Sequence, residues 1–305
     1  MNTKQKTVHT SVLLKESIEG LNLKKDSIVI DATFGGGGHS IEILKNYPNV
    51  KIIAIDQDKS AWNRAKDKFK NLEDRIIFVN GNFRDIENIL KNLKIKNVDG
   101  VLLDLGLSGD QLDNSGRGFS FLKNEPLIMT MKDSPKKDDI TAKDIVNNWS
   151  QESLADIIYG YGEERFARRI AKIIVETRKN KSIDNTFELV DIIKKAVPFK
   201  YIKGKIHFAT RTFQALRIAV NDELNILKTG LEKSFNILKK GGRISVISFH
   251  SLEDRIVKNF FKDKVKTDSA IFLSVGGKKP IIASRAEIKL NNRSRSAKLR
   301  ILEKI

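Results

Sequence analysis

Residues 28–40 read Ile-Val-Ile-Asp-Ala-Thr-Phe-Gly-Gly-Gly-Gly-His-Ser. A β-branched run, Ile28-Val29-Ile30, leads into four consecutive glycines, Gly35 to Gly38. Glycine is costly to order, so four of them at the end of a strand mark a place where something approaches the backbone closely. A strand, a glycine loop and a helix start together form a ligand cradle. The N–H groups at the helix start attract an anion, and missing side chains admit the ligand.

Dinucleotides and S-adenosylmethionine both use such cradles. The dinucleotide pattern G-x-G-x-x-G fails here, because its last position is Ser40 when counted from Gly35 and Ile41 when counted from Gly36. Asp-x-x-x-Gly-x-Gly does fit, through Asp31, Gly35 and Gly37. That is the pattern of S-adenosylmethionine-dependent methyltransferases, in which the loop holds the methionine end and the acid sits near its ammonium. The next strand ends in Asp56, 18 residues after Gly38. A carboxylate there can accept hydrogen bonds from both ribose hydroxyls. Phe83, after the third strand, is read either as an adenine contact or as a core aromatic.

From Ile28 to Asp104, apolar strands alternate with helical segments. The expected strands are 28–33, 51–55, 76–79 and 98–103; the expected helices are 39–47, 59–70 and 85–93. The apolar runs are continuous, as in strands buried on both faces, which predicts a doubly wound, mostly parallel α/β sheet. The rhythm then stops. Residues 112–207 show helical periods only, at 142–149, 152–159, 163–179 and 186–196. A long helix over about 212–238 precedes a returning strand at 243–249, introduced by the turn Gly241-Gly242, and a further strand is expected at 297–302. The chain therefore reads as a methyltransferase domain (1–112 and 209–305) interrupted by an inserted all-helical domain (113–208).

Of the 305 residues, 56 are Lys or Arg and 38 are Asp or Glu, a formal net charge of +18. Such an excess suits a polyanionic partner, and nucleic acid is the commonest. An AT-rich genome also inflates Lys, but it accounts less well for clustered Arg. With no cysteine, disulfides, thiolate metal sites and cysteine nucleophiles are excluded, which fits a cytoplasmic setting. Four scattered histidines give no credible metal site. No apolar stretch approaches the roughly 20 residues needed to span a bilayer, and no signal peptide is evident.

Several strings together carry a resemblance: "DATFGGGGHS" (31–40), "AIDQD" (54–58), "LLDLGLSGDQLD" (102–113), "RGFSF" (117–121), "YGEERFARRIA" (161–171), "ATRTFQALRIAVNDEL" (209–224), "ISFHSLEDRIVK" (247–258) and "RSRSAKLR" (293–300). In this order, and with "HTSVLL" from His9, the chain resembles the small-subunit ribosomal RNA cytosine-N4 methyltransferases, the MraW or RsmH family. The resemblance implies S-adenosylmethionine as cofactor. As substrate it implies a cytidine in the decoding region of small-subunit (16S) ribosomal RNA, within an assembled or nearly assembled subunit. It implies cofactor contacts from Gly37, Gly38, His39, Asp56, Phe83, Asp104 and Gln111. The sequence departs from the family pattern at Gly36, where Arg is usual, at Ile128 and Thr130, where Asp and Arg are usual, and at Phe208 and Asn292, where Pro is usual or frequent.

In doubly wound sheets ligands gather at the carboxyl ends of strands, so Asp104-Leu105-Gly106-Leu107-Ser108 belongs near the transferred methyl group. Methyl transfer from a sulfonium is an in-line displacement, and the protein must align the nucleophile. An exocyclic cytosine amine is a poor nucleophile because its lone pair is delocalised into the ring. Acceptors that hold its N–H groups can orient that pair. Asp104, helped by Ser108, is placed for this, or else it contacts only the cofactor. His250-Ser251-Leu252-Glu253-Asp254 is not a Ser-His-Asp triad, because triads are spatial constellations. Ser251 with Asp254 reads as a helix-capping pair, His39 with Ser40 as serving a helix start, and His250 as a site residue or a structural one.

Arg165, Arg168, Arg169 and Lys172 fall on one helical face, opposite Phe166, Ile170, Ile173 and Ile174. The last 29 residues, from Gly277, hold nine Lys or Arg, Arg293 and Arg295 among them, against two Asp or Glu. These two basic regions are expected to contact RNA. Phe119 and Phe121 read as base-stacking or as core. The rival readings are a methyltransferase for another nucleic acid or a protein, a non-catalytic RNA-binding assembly factor, and a nucleotide-dependent oxidoreductase.

Overall fold

The structure, a computed structural model, describes residues 11–133, 135–273 and 279–305. His9, Thr10 and the first two residues of the basic C-terminal stretch, Gly277 and Lys278, lie outside them. The chain divides into two compact units, Met1–Gly106 with Leu224–Ile305, and Leu107–Glu223.

The first unit is built on an eight-stranded sheet. Its strands are β1 (Ile28–Asp31), β2 (Lys51–Asp56), β3 (Ile76–Asn80), β4 (Val98–Asp104), β5 (Leu238–Ser248), β6 (Ala270–Phe272), β7 (Ile281–Ile282) and β8 (Lys298–Lys304). The order is β3-β2-β1-β4-β5-β8-β6, with β7 also pairing β8. The first five of that order run parallel, and β8 is antiparallel to its neighbours. Alternate residues feed opposite cores. Val29, Ile52, Ala54 and Leu102 join one cluster, with Ile43, Leu44 and Phe69. Ile30, Ile53, Ile55, Val101 and Leu103 join the other, with Ile86, Leu90, Leu231 and Phe261. Burial on both faces is why these strands read as unbroken apolar runs.

The chain steps outward from β1 to β2 to β3, then returns to lay β4 on the other side of β1. That reversal opens a crevice beyond the carboxyl ends of β1 and β4, the position where doubly wound sheets bind ligands. β5 starts earlier than expected, at Leu238, because Gly241 and Gly242 lie within the strand at a register shift against β4.

The second unit is helical. Helices Ala142–Asn148, Gln151–Gly160, Ala167–Arg178, Thr186–Ala196 and Thr210–Asn221 surround Ile145, Leu154, Ile158, Ile170, Ile174, Leu189, Ile193, Phe213 and Leu216. Capping boxes start two of them, Thr141 with Asp144 and Asn185 with Glu188. Its only pairing of the β type among the described residues is the isolated bridge between Pro126 and Asn185.

This unit is larger than the expected 113–208 segment. Leu107 and Leu112 pack against its core, and helix Thr210–Asn221 contributes Phe213 and Leu216 to it. The single helix expected over 212–238 is two, Thr210–Asn221 and Glu223–Asn236, broken by Asp222 at φ 49°. The segment where Ile128 and Thr130 depart from the family pattern is tied down structurally. Met129 is buried at φ 56°, the Arg117 guanidinium donates to the carbonyl oxygens of Thr130 and Lys132, and the Asn221 amide brackets Met129 and Met131.

At Gly162 the helical unit permits no side chain. An added Cβ would lie 2.5 Å from the Arg211 carbonyl oxygen and 2.6 Å from that of Ile158. Both obstacles are backbone, so Gly162→Ala is expected to destabilise the protein by about 1–3 kcal/mol. A lower urea midpoint at an unchanged slope checks this; an unchanged midpoint would show that the two helices separate at no cost.

Candidate functional site

The glycine loop is held by two carboxylates. Asp31, at the end of β1, is buried and takes the Ser40 hydroxyl on Oδ2 at 2.6 Å and the Thr33 N–H on Oδ1 at 3.4 Å. Asp56, at the end of β2, takes the Gly35 N–H on Oδ2 at 2.7 Å and the Asp58 N–H on Oδ1 at 2.8 Å. Ser40 therefore turns back to Asp31 instead of capping its own helix. The N-cap of helix Gly38–Asn46 is Gly37, at φ 71°. A Cβ there would strike the rings of Phe34 and Phe69, and one on Gly38 would strike the Ser11 hydroxyl. Gly35, at φ 51°, shares the left-handed region. At Gly37 and Gly38 the loop is glycine because its neighbours leave no room for a side chain, and at Gly35 because of its φ, whereas a Cβ on Gly36 would meet open space.

Asp104 ends β4. Its N–H donates to the Thr33 hydroxyl at 2.6 Å, which joins the tip of β4 to the loop. Its side chain is 24% exposed. Oδ2 lies 3.8 Å from Nδ1 of buried His39, and Oδ1 is buried with no hydrogen-bond donor among the described residues. Burial pushes the Asp104 carboxyl up to about 8, helped by repulsion from Asp31 and Glu253. Burial also pushes Asp31 up to about 6, against the hydrogen bonds from Ser40 and Thr33. Asp56 is raised as well, burial outweighing its two N–H bonds.

Sequence reasoning missed Glu253 as a participant. It is buried and accepts the N–H groups of Phe249 and His250. The capping pair there is not Ser251 with Asp254. His250 is the N-cap of helix Ser251–Lys266, boxed with Glu253, so the His250 ring serves the helix start. Asp254 instead pairs with buried Arg300 at 2.7 Å and with Lys298 at 3.0 Å.

Next to Asp56 lies a cavity of about 200 Å³ lined by Phe34, Ala54, Asp58, Trp62, Phe78 and Asn80, among others. Trp62 stacks on Phe78, and Phe34 meets both edge-on. Phe83 does not line this cavity. It lies where a Cβ on Gly230 would go, packed against the core beneath helix Glu223–Asn236. The aromatic wall beside Asp56 is thus Trp62 and Phe78, whose spacing in a helix and a strand looks like ordinary core.

Ser108 and Gln111 belong to the helical unit, where they cap one helix reciprocally. The Ser108 hydroxyl accepts the Gln111 N–H at 3.1 Å, and the Gln111 amide oxygen accepts the Ser108 N–H at 3.0 Å. Phe119 lies in the core of that unit, and half-buried Phe121 stacks face to face on His207, 4.4 Å between centroids. Arg165 precedes helix Ala167–Arg178, whereas Arg168, Arg169 and Lys172 lie on it; all four are exposed. In the first unit, Arg293 and Arg295 are exposed on the turn Asn292–Ser296.

Against this geometry, the family model described as the MraW methylase family matches residues 6–305. The chain belongs to the MraW methylase family. It is 48% identical over 310 residues to the protein named Ribosomal RNA small subunit methyltransferase H from Clostridium botulinum (strain 657 / Type Ba4), covering 97% of this chain and 99% of that one. It is 50% identical over 297 residues to the protein of that name from Sulfurihydrogenibium sp. (strain YO3AOP1), with the same coverage. A solved rRNA methylase from Streptococcus thermophilus aligns with a TM-score of 0.46 at 10% identity, covering 98% of this chain and 99% of its own, a likeness too loose to carry weight.

The family is one of S-adenosylmethionine-dependent methyltransferases, and this chain is a methyltransferase enzyme. The residues present fit that cofactor. A cradle without side chains, carboxylates at three strand ends, a buried acceptor atom on Asp104 and an aromatic cavity beside Asp56 match a cationic amino acid joined to a nucleoside. No helix among the described residues is long and apolar enough to cross a membrane.

The raised carboxyls set the pH dependence of stability. Folded Asp31 and Asp104 keep protons that the unfolded chain, near 3.8, has released. Stability is therefore lost as pH rises from about 4 to about 8. Asp104→Asn cannot ionise, so its Tm advantage over the wild type should be near nil at about pH 4 and largest above about pH 8. Thermal melts of ligand-free protein across that range check this; a Tm difference that is constant with pH would contradict it.

Proposed function

We propose that this enzyme transfers the methyl group of S-adenosylmethionine to the exocyclic N4 amine of a cytidine in the decoding region of small-subunit ribosomal RNA. Family membership and the names of the relatives support an rRNA methyltransferase. The observation that carries the chemistry is Asp104, a carboxylate at the crevice with a raised proton affinity and one buried oxygen that has no hydrogen-bond donor among the described residues.

The cofactor supplies an electrophilic methyl group. The glycine loop receives its amino-acid end, and Asp56 with the Trp62–Phe78 wall receives its nucleoside. Asp56 already binds two N–H groups, but each carboxylate oxygen retains a second lone pair for a ribose hydroxyl.

Asp104 Oδ1 accepts one N–H of the cytosine amine and turns the nitrogen lone pair out of conjugation. As the nitrogen gains a carbon bond it becomes acidic, and the proton passes to the Asp104 carboxylate. His39 stands beside the carboxylate, its Nδ1 3.8 Å from Oδ2, beyond hydrogen-bond distance. Ser108, His250 and Gln111 act through the helix caps they build. The basic groups Arg165, Arg168, Arg169, Lys172, Arg293 and Arg295 meet the RNA phosphates.

Incubating unmodified small subunits with enzyme and S-adenosylmethionine, then digesting the RNA for nucleoside mass spectrometry, tests the assignment. N4-methylcytidine at one position is expected; methylation of a different base or atom would contradict it. For Asp104→Asn, the single-turnover rate at saturating cofactor and subunit is expected to fall about 10²–10⁴-fold, because the lost interaction grows in the transition state. A mutant that recovers the wild-type rate at saturation would reduce Asp104 to a cofactor contact.

A further inference from the structure

In the helical unit, a cavity of about 460 Å³ opens between helix Gln151–Gly160 and the start of helix Ala167–Arg178. Arg165, Arg168 and Arg169 line one side, and Tyr159, Asp156 and Phe166 complete it. Its volume falls in the range of small-molecule sites, roughly 300–1,000 Å³.

The arginine wall is built rather than merely exposed. Glu164 is fully buried, and its carboxylate takes the Phe166 N–H at 2.8 Å and the Tyr201 hydroxyl. This fixes the Phe166 and Tyr201 rings edge to face, 5.0 Å apart. The Arg165 guanidinium lies over both, 4.8 Å and 5.0 Å from their centroids, and that of Arg169 lies 6.0 Å from Phe166. Among the described residues, none of Arg165, Arg168 and Arg169 forms an ion pair with a carboxylate. Guanidinium groups held in place by rings, with their N–H edges unspent on acids, are suited to phosphate. Tyr159 is 68% exposed and offers a ring face to a base. Asp156 disfavours a plain polyanion and offers an acceptor to a base amine or a ribose hydroxyl.

We propose that this cavity is a binding site for one unpaired nucleotide of the RNA substrate. Its phosphate lies on Arg165 and Arg168, and its base lies on Tyr159. It docks the RNA through the helical unit at a nucleotide other than the one methylated. The proposal rests on the RNA reading above and adds a defined single-strand contact to it. Single-stranded RNA is the class favoured, because its bases are free to stack and its backbone is free to bend into a cavity.

The test uses the full chain and a labelled, short single-stranded oligoribonucleotide, followed by fluorescence anisotropy. Wild type should prefer the oligonucleotide over its abasic counterpart by about tenfold, the effect of one base stack. Tyr159→Ala should erase that preference and leave the salt dependence unchanged. Arg165→Lys, which keeps the charge and loses the plane, should weaken binding several-fold, and Arg168→Gln should lower the salt slope by about one. None of these variants should alter S-adenosylmethionine affinity, which also shows that they fold.

Equal binding of abasic and intact strands, or equal displacement by polyglutamate, would overturn the site and leave an unspecific basic surface. Methylation of isolated small subunits separates the two readings. If wild type methylates the subunits and all three variants keep its KM, the site is overturned and the function stands. If wild type binds the strand in a base-dependent way but methylates no subunit RNA, the site is upheld and the assigned substrate falls.

Discussion

The Asp56 carboxylate accepts the Gly35 N–H across the gap between β2 and the loop after β1, and the geometry of the site depends on that bond. Within itself the loop has the turn bond from the Gly37 N–H to the Phe34 carbonyl oxygen, at 2.8 Å. Gly35 and Gly37 sit at positive φ, and the segment lacks side chains with which to pack. Asp56 anchors its entry, and Asp31 anchors its exit through Ser40. Thr33 joins it to Asp104 on the third strand end. These short bonds place three strand tips and one helix start in a fixed relation. The apolar sheet beneath, buried on both faces, keeps the tips from moving.

The same constraint concentrates negative charge. Asp31 and Glu253 both lie close enough to Asp104 to repel its charge, and burial raises the proton affinity of Asp31 and Asp104. A fold does not need this for stability, since each ionisation costs folding energy. A site for a cation does need it, because the cation relieves the repulsion. Perturbed carboxyls in a crevice are a mark of function for that physical reason.

Much of this was legible in the residues. The strands of the parallel sheet were readable because each is an apolar run ending in a turn or an acid. The places of Asp31, Asp56 and Asp104 were readable because each closes an apolar run, and each does end a strand. What escaped had local causes. Asn221-Asp222-Glu223 carries no glycine or proline, so the break at Asp222 was invisible, although Asp visits the left-handed region at modest cost. The helical unit claimed residues 107–112 and 209–223 through packing partners far away in sequence. Phe83 looked like a ring for the adenine because it follows β3, but the bare face of Gly230 draws it into the core. Trp62 and Phe78, which do line the cavity, occupy positions typical of buried residues. Glu253 looked like part of a helix cap, which it is, and its effect on Asp104 depends on β5 lying beside β4.

The central claim is that a cation of the cofactor relieves the charge around Asp104. Calorimetric titration with S-adenosylmethionine near neutral pH, in buffers of different ionisation enthalpy, counts the protons exchanged on binding. With Asp104 near 8 in the free protein, binding should release close to one proton, and affinity should rise with pH. Asp104→Asn should bind with almost no proton release. Binding by the wild type without proton release, or equal release by Asp104→Asn, would contradict the account.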